Sequence, residues 1–119
     1  MTALYDHLLT TVFPGVLQHD PDVLRAIEAF DGDLRIDGDR LLFTVPALFA
    51  FVCQSYATQS GQHVETSRET YLRFRKALYG NPTNGTLARH GARVEVETTD
   101  PDHDRSVYRL VRTGRTDRL

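Results

Sequence analysis

At Asp33 the spacing of apolar residues changes from helical to strict alternation. Leu34 and Ile36, then Leu41, Phe43 and Val45, alternate on either side of Asp37-Gly38-Asp39. A period of two predicts strand, and any two-residue turn drawn from that triplet puts all five apolar side chains on one face of the ribbon. An isolated ribbon is marginal in water, so the rest of the chain must cover that face.

Upstream, Leu4, Tyr5, Leu8, Leu9, Val12 and Phe13 lie on one face of a helix spanning Thr2 to Phe13, with Thr2 as N-cap and Pro14-Gly15 as the stop. Asp20-Pro21-Asp22 supplies an N-cap, a proline at the first helical position and an acid in the first turn. Val23, Leu24, Ile27 and Phe30 follow at helical spacing, and Asp31-Gly32 ends that helix. Downstream, Pro46 suits the first turn of a third helix running to about Gln59. It is apolar around most of its circumference at Leu48, Phe49, Phe51, Val52 and Cys53, which places it at the centre of the core.

A fourth helix is predicted from the capping box Thr66-Ser67-Arg68-Glu69 to Gly80, with Tyr71, Phe74 and Leu78 as its buried stripe, widened by Leu72 and Tyr79. Asn81-Pro82-Thr83-Asn84-Gly85 reads as loop, and Thr86 to Gly91 as one short helical turn. The last element is a second hairpin, Arg93 to Thr99 and Arg105 to Arg112, around Asp100-Pro101-Asp102-His103-Asp104. A five-residue loop sets Val96 opposite Tyr108, Val94 opposite Leu110 and Glu95 opposite Arg109, whereas a four-residue loop would set Glu95 against Tyr108. The expected fold is a single α+β domain over residues 1–112, in the order α-α-β-β-α-α-β-β. Its two antiparallel hairpins join in one sheet with helices on one side, and residues 113–119 form a polar, flexible tail.

The chain has 119 residues, 40% hydrophobic and 25% charged, the composition of a folded domain with one ordinary core. Its one cysteine, Cys53, lies in an apolar run, so a buried thiol and a reducing, cytoplasmic setting are expected. No stretch approaches the length of a membrane span, and the N-terminus lacks the basic region of a secretory signal.

None of the five histidines stands at the i, i+3 or i, i+4 spacing of helical metal ligands. Asp100-x-Asp102-x-Asp104 resembles the start of a calcium loop, but Arg105 and Val111 occupy the positions that need Gly and Glu. Neither metal nor cofactor is therefore expected. Nucleophile elbows, P-loops and dinucleotide fingerprints are all missing from the sequence. His19-Asp20 and Arg89-His90 could form an acid-base site only through tertiary contacts.

Charge is unevenly divided: net −5 over residues 1–60 and net +3 over residues 61–119. Over residues 66–93, Arg68, Arg73, Arg75, Lys76, Arg89 and Arg93 face one acid, Glu69, for a net +5. On a helical wheel Arg73 and Lys76 point away from the buried stripe, while Arg68 and Arg75 flank it. Two helices followed by a hairpin resemble the element order of a winged-helix module, which implies a helix in the major groove and a hairpin on phosphate. An acidic hairpin tip, a long connection over residues 60–65 and an overall charge of −2 count against nucleic acid.

The expectation is a non-enzymatic binding or accessory domain with an anionic partner, nucleic acid or an acidic protein, met through those six basic residues. The alternatives are a protein-protein module or homo-oligomer that uses the outer face of the second hairpin at Val107 and Val111, and then a small hydrolase or ribonuclease-like enzyme. A bland alternative has the arginines paired with the aspartates of the first half.

Overall fold

The computed structural model describes residues 3–64 and 66–112, with the backbone alone at His103. The expected N-cap Thr2 and the tail over residues 113–119 lie outside the described residues.

The chain forms α1 (Ala3–His7), a π-helical turn (Leu8–Val12), α2 (Phe13–Leu17), α3 (Pro21–Ala29), β1 (Leu34–Asp37), β2 (Arg40–Phe43), α4 (Val45–Ser60), α5 (Arg68–Gly80), α6 (Thr83–Ala88), β3 (Ala92–Thr98), a 3-10 turn (His103–Arg105) and β4 (Val107–Arg112). This is an α+β domain built on one antiparallel sheet of order β1-β2-β4-β3. The first hairpin turns at Gly38-Asp39 with its apolar side chains on one face, as expected, and the second pairs in the expected register. Leu34 faces Phe43 and Ile36 faces Leu41, while Val94 faces Leu110, Glu95 faces Arg109 and Val96 faces Tyr108. The hairpins join through Leu41 against Leu110 and Phe43 against Tyr108.

Helix starts follow local capping chemistry, in which a short polar side chain satisfies an unpaired backbone N–H of the first turn. Asp20 accepts from the Asp22 N–H at 2.9 Å and Thr44 from the Ala47 N–H at 3.4 Å. In α5 the cap is Ser67, accepting from the Thr70 N–H at 3.2 Å, and not Thr66. Starting the helix one residue later releases Glu69 from the expected capping box, and it pairs with Arg73 at 2.7 Å.

Pro14-Gly15 does not end the first helix; the helical path continues to Leu17. The turn before Pro14 widens, so that the Phe13 N–H bonds the Leu8 carbonyl five residues back. That widening gives the proline ring room and leaves its missing N–H without a required acceptor. Gly15 is instead a point of close approach to α3: a Cβ there would lie 2.6 Å from Val23 Cγ2. Two other boundaries also move. Val45, expected to close the first hairpin, is buried as the first residue of α4, and α6 begins at Thr83 inside the expected loop.

The core lies between the sheet and the helices. Leu34, Leu41, Phe43, Ala92 and Leu110 from one sheet face join Leu8, Phe13, Ile27, Leu48, Val52 and Phe74 in a single buried cluster. Leu42, 4% exposed, lies outside that cluster on the opposite face. Arg35 and Arg109 are its cross-strand neighbours there. Cys53 is buried and free, and burial pushes its thiol up to about 11. Among the described residues no helix is long and apolar enough to cross a membrane.

Between α1 and α4 the buried His7 hydrogen-bonds Ser55 Oγ through Nε2 at 2.9 Å and meets the Tyr56 ring edge-on at 5.5 Å. Burial lowers its pKa below the ordinary histidine value. The unfolded chain therefore holds the proton more tightly than the folded one. Stability from this site is full above an ordinary histidine pKa of about 6.5 and falls as the pH drops below it. Denaturant midpoints compared at about pH 5 and about pH 7.5 should show less acid sensitivity in His7→Gln than in the parent. Equal sensitivity would remove His7 from that account.

Candidate functional site

The six basic residues of the second half do not form one open cationic surface. Arg73 pairs with Glu69, Arg93 with Glu95, and Arg75 with Asp104 at 3.0 Å. Their partners come from the second half, not from the first-half aspartates. The reason is local: Glu69 stands one helical turn from Arg73, and Glu95 is in the same strand as Arg93. Arg68, Lys76 and Arg89 are exposed, and none has a carboxylate within 4.0 Å among the described residues.

Arg75 belongs to a clasp between α5 and the loop before β4. Asp104 accepts from both the Tyr71 hydroxyl and Arg75, and the guanidinium lies 5.6 Å from the Tyr71 ring centroid. These bonds hold the Asp104 carboxyl below its usual range. Burial, then the Asp104 hydrogen bond, raise the Tyr71 hydroxyl well above a normal tyrosine. With the acid held ionised and the phenol held protonated, the cluster has no proton to exchange near neutral pH, and its chemistry is that of a fastener.

The acidic loop is likewise occupied with itself. Asp100 accepts from the Asp102 N–H and Asp102 from the Asp104 N–H, each at 2.9 Å, which makes it a capped hairpin turn. Among the described residues no group of three or more His, Cys, Asp or Glu is placed to hold a metal ion. On the outer sheet face, Val107 and Val111 are partly buried beside Arg109, which binds Glu95 at 2.8 Å and Glu97 at 2.7 Å.

Apolar surface collects elsewhere. Leu72 and Tyr79, expected to widen the buried stripe of α5, are 36% and 51% exposed. Helical spacing puts Arg68, Leu72, Lys76 and Tyr79 within an arc of about 80° on α5. This face leads into a cleft of about 360 Å³ between the end of α5, the start of α6 and the strands β3 and β4. Phe43, Val45, Leu78, Pro82, Val94 and Tyr108 line it, with Tyr79 and Val96 also on its walls. Val96 is 49% exposed although it shares a strand face with buried residues.

The cleft walls are fixed. The Tyr79 and Tyr108 hydroxyls are 3.0 Å apart, and the Asn84 amide bonds both backbone groups of Val94, accepting at 2.7 Å and donating at 3.1 Å. That amide takes the place of a neighbouring strand along the edge of β3. The site lay hidden in the sequence because alternation and helical spacing fix which face a residue shares, not how far the opposing layer reaches.

The element order departs from that of a winged-helix module: α6 stands between α5 and the β3–β4 hairpin, and β4 pairs with β2 inside the sheet. Comparison with protein families, with curated proteins and with solved structures gives no match to the chain.

Proposed function

We propose that this chain is a non-enzymatic binding module that takes a short acidic segment of a partner protein in the cleft between α5, α6 and β3. The observation that carries the reading is the exposure of Tyr79 and Val96 on the walls of an apolar cleft held open by hydrogen bonds. Large apolar side chains gathered at one concave site favour association with an apolar anchor. Arg68 and Lys76, on the same helical face as Tyr79 and without a carboxylate partner among the described residues, favour an anionic flank around that anchor. Glu95, on the cleft wall, is taken up by Arg93 and Arg109 and adds little repulsion.

The test is selection from a random peptide library on the folded protein, followed by anisotropy titration of the selected peptides, duplex DNA and single-stranded RNA. Selected peptides should share acidic residues around one large apolar residue. Tyr79→Ala should weaken their binding by about 2 kcal/mol, roughly thirtyfold, as expected for a central aromatic contact. Arg68→Ala with Lys76→Ala should reduce both affinity and its salt dependence. Enrichment that survives Tyr79→Ala would overturn the reading. So would saturable nucleic-acid binding that falls steeply with salt and is lost in Arg73→Ala with Lys76→Ala, which would assign the helix to phosphate.

A further inference from the structure

A second cavity, of about 330 Å³, opens where the end of α2 meets the turn after α6 and the end of β4. Its walls are Pro14, Leu17, Gln18, His19, His90 and Arg112. The fold thus brings together two histidines from opposite halves of the chain, an arginine and a carboxamide. Among the described residues no carboxylate lines the cavity. Asp20, next in sequence, has one oxygen committed to the Asp22 N–H at 2.9 Å, and Arg89, beside His90, adds an exposed cation.

The conformation of His19 is the second observation. Helix α2 closes with the Asp20 N–H bonded to the Gly15 carbonyl at 2.8 Å and the His19 N–H to the Val16 carbonyl at 3.1 Å. This paired closure needs a left-handed residue, the place where glycine is ordinarily found. Here it is His19, with φ of 56°, the one non-glycine residue of positive φ among the described residues. The left-handed conformation costs a residue other than glycine, and here it sets the His19 side chain on the cavity wall.

We propose that His19, His90 and Arg112 form a binding site for a phosphate-sized oxyanion. The guanidinium offers a forked pair of donors and each imidazole a ring N–H, and the side-chain amide of Gln18 can complete the set. Arg112 has no carboxylate within 4.0 Å among the described residues. The site lies apart from the cleft between α5 and β3 and shares no lining residue with it. Failure of either reading leaves the other standing.

The experiment is an amide NMR titration of the full chain with inorganic phosphate, adenosine monophosphate and succinate, each at constant ionic strength. Saturable shifts centred on His19, His90 and Arg112 are expected with phosphate. A tighter response to adenosine monophosphate would identify a phosphate ester as the ligand, and a tighter response to succinate a carboxylate. His19→Gly is the decisive variant. It should raise the melting temperature by relieving the left-handed strain. It should also weaken phosphate roughly tenfold, the loss expected for one charge-assisted hydrogen bond. Arg112→Gln should weaken phosphate without raising the melting temperature. Phosphate shifts that do not saturate, that scatter over all basic residues, or that persist unchanged in His19→Gly would overturn the site.

Discussion

Phe43→Ala is expected to lower the free energy of unfolding by about 3–5 kcal/mol, a large share of the 5–15 kcal/mol that holds a domain of this kind together. Phe43 is 1% exposed and sits in β2, between β1 and β4. Its ring lies 6.1 Å from Phe13 and 6.0 Å from Tyr108, so it ties the first helical segment to the strand that joins the two hairpins. Truncation removes apolar area and leaves a void that the paired strands, fixed by their ladders, cannot close. Because Phe43 also lines the cleft, the void should open into it and admit water. Urea unfolding checks this: the midpoint should fall sharply with little change in slope. A loss under about 1.5 kcal/mol would mean that the sheet repacks around the gap.

Gly15→Ala is expected to destabilise the protein by about 1–2 kcal/mol, although alanine is the better helix former by about 1 kcal/mol. The added methyl would meet Val23 at Cγ2, Cβ and Cγ1, at 2.6, 3.1 and 3.3 Å. A branched valine held on α3 has no long, flexible end to move aside, so the two helices must separate. In the background Val23→Ala the contacts at 2.6 and 3.3 Å are gone and only the one to Cβ at 3.1 Å remains, which a small shift relieves, so Gly15→Ala should become neutral or stabilising. That change of sign separates close packing from chain termination, since a glycine that only ended a helix would respond the same way in both backgrounds.

The two glycine readings show where local sequence rules stop. Pro14-Gly15 is a strong stop signal on its own, yet the preceding turn widens by one residue and the helix passes through it, because Phe13, Val16 and Leu17 gain buried contacts by remaining helical. Thr66 and Ser67 are both competent caps, and Ser67 is the one used. Periodicity puts Leu72 and Tyr79 on α5 and Val96 opposite Tyr108, as the structure has them. Their exposure depends on how far the sheet and helices overlap. The same holds for the basic stretch: helical spacing located Arg73, Arg75 and Lys76 around α5, but the clasp of Arg75 to Asp104 needed the loop before β4 to fold back onto that helix.

What the sequence determined is what short-range periodicity can carry. Alternation of two fixes which face of a strand is buried, and a slip of one residue would turn every side chain over, so the shared apolar face of the first hairpin and the pairing of the second follow from the pattern, while the structure chose Gly38-Asp39 as the turn of the first. The Asp20 cap with Pro21 located the start of α3, and Pro46 in the first turn that of α4. The tertiary structure decided the rest: β2 beside β4, Asn84 against the edge of β3, and His19 in one cavity with His90 and Arg112. These meetings join segments far apart in the chain, and each depends on the closing of the whole core, for which no spacing of neighbouring residues provides a signal.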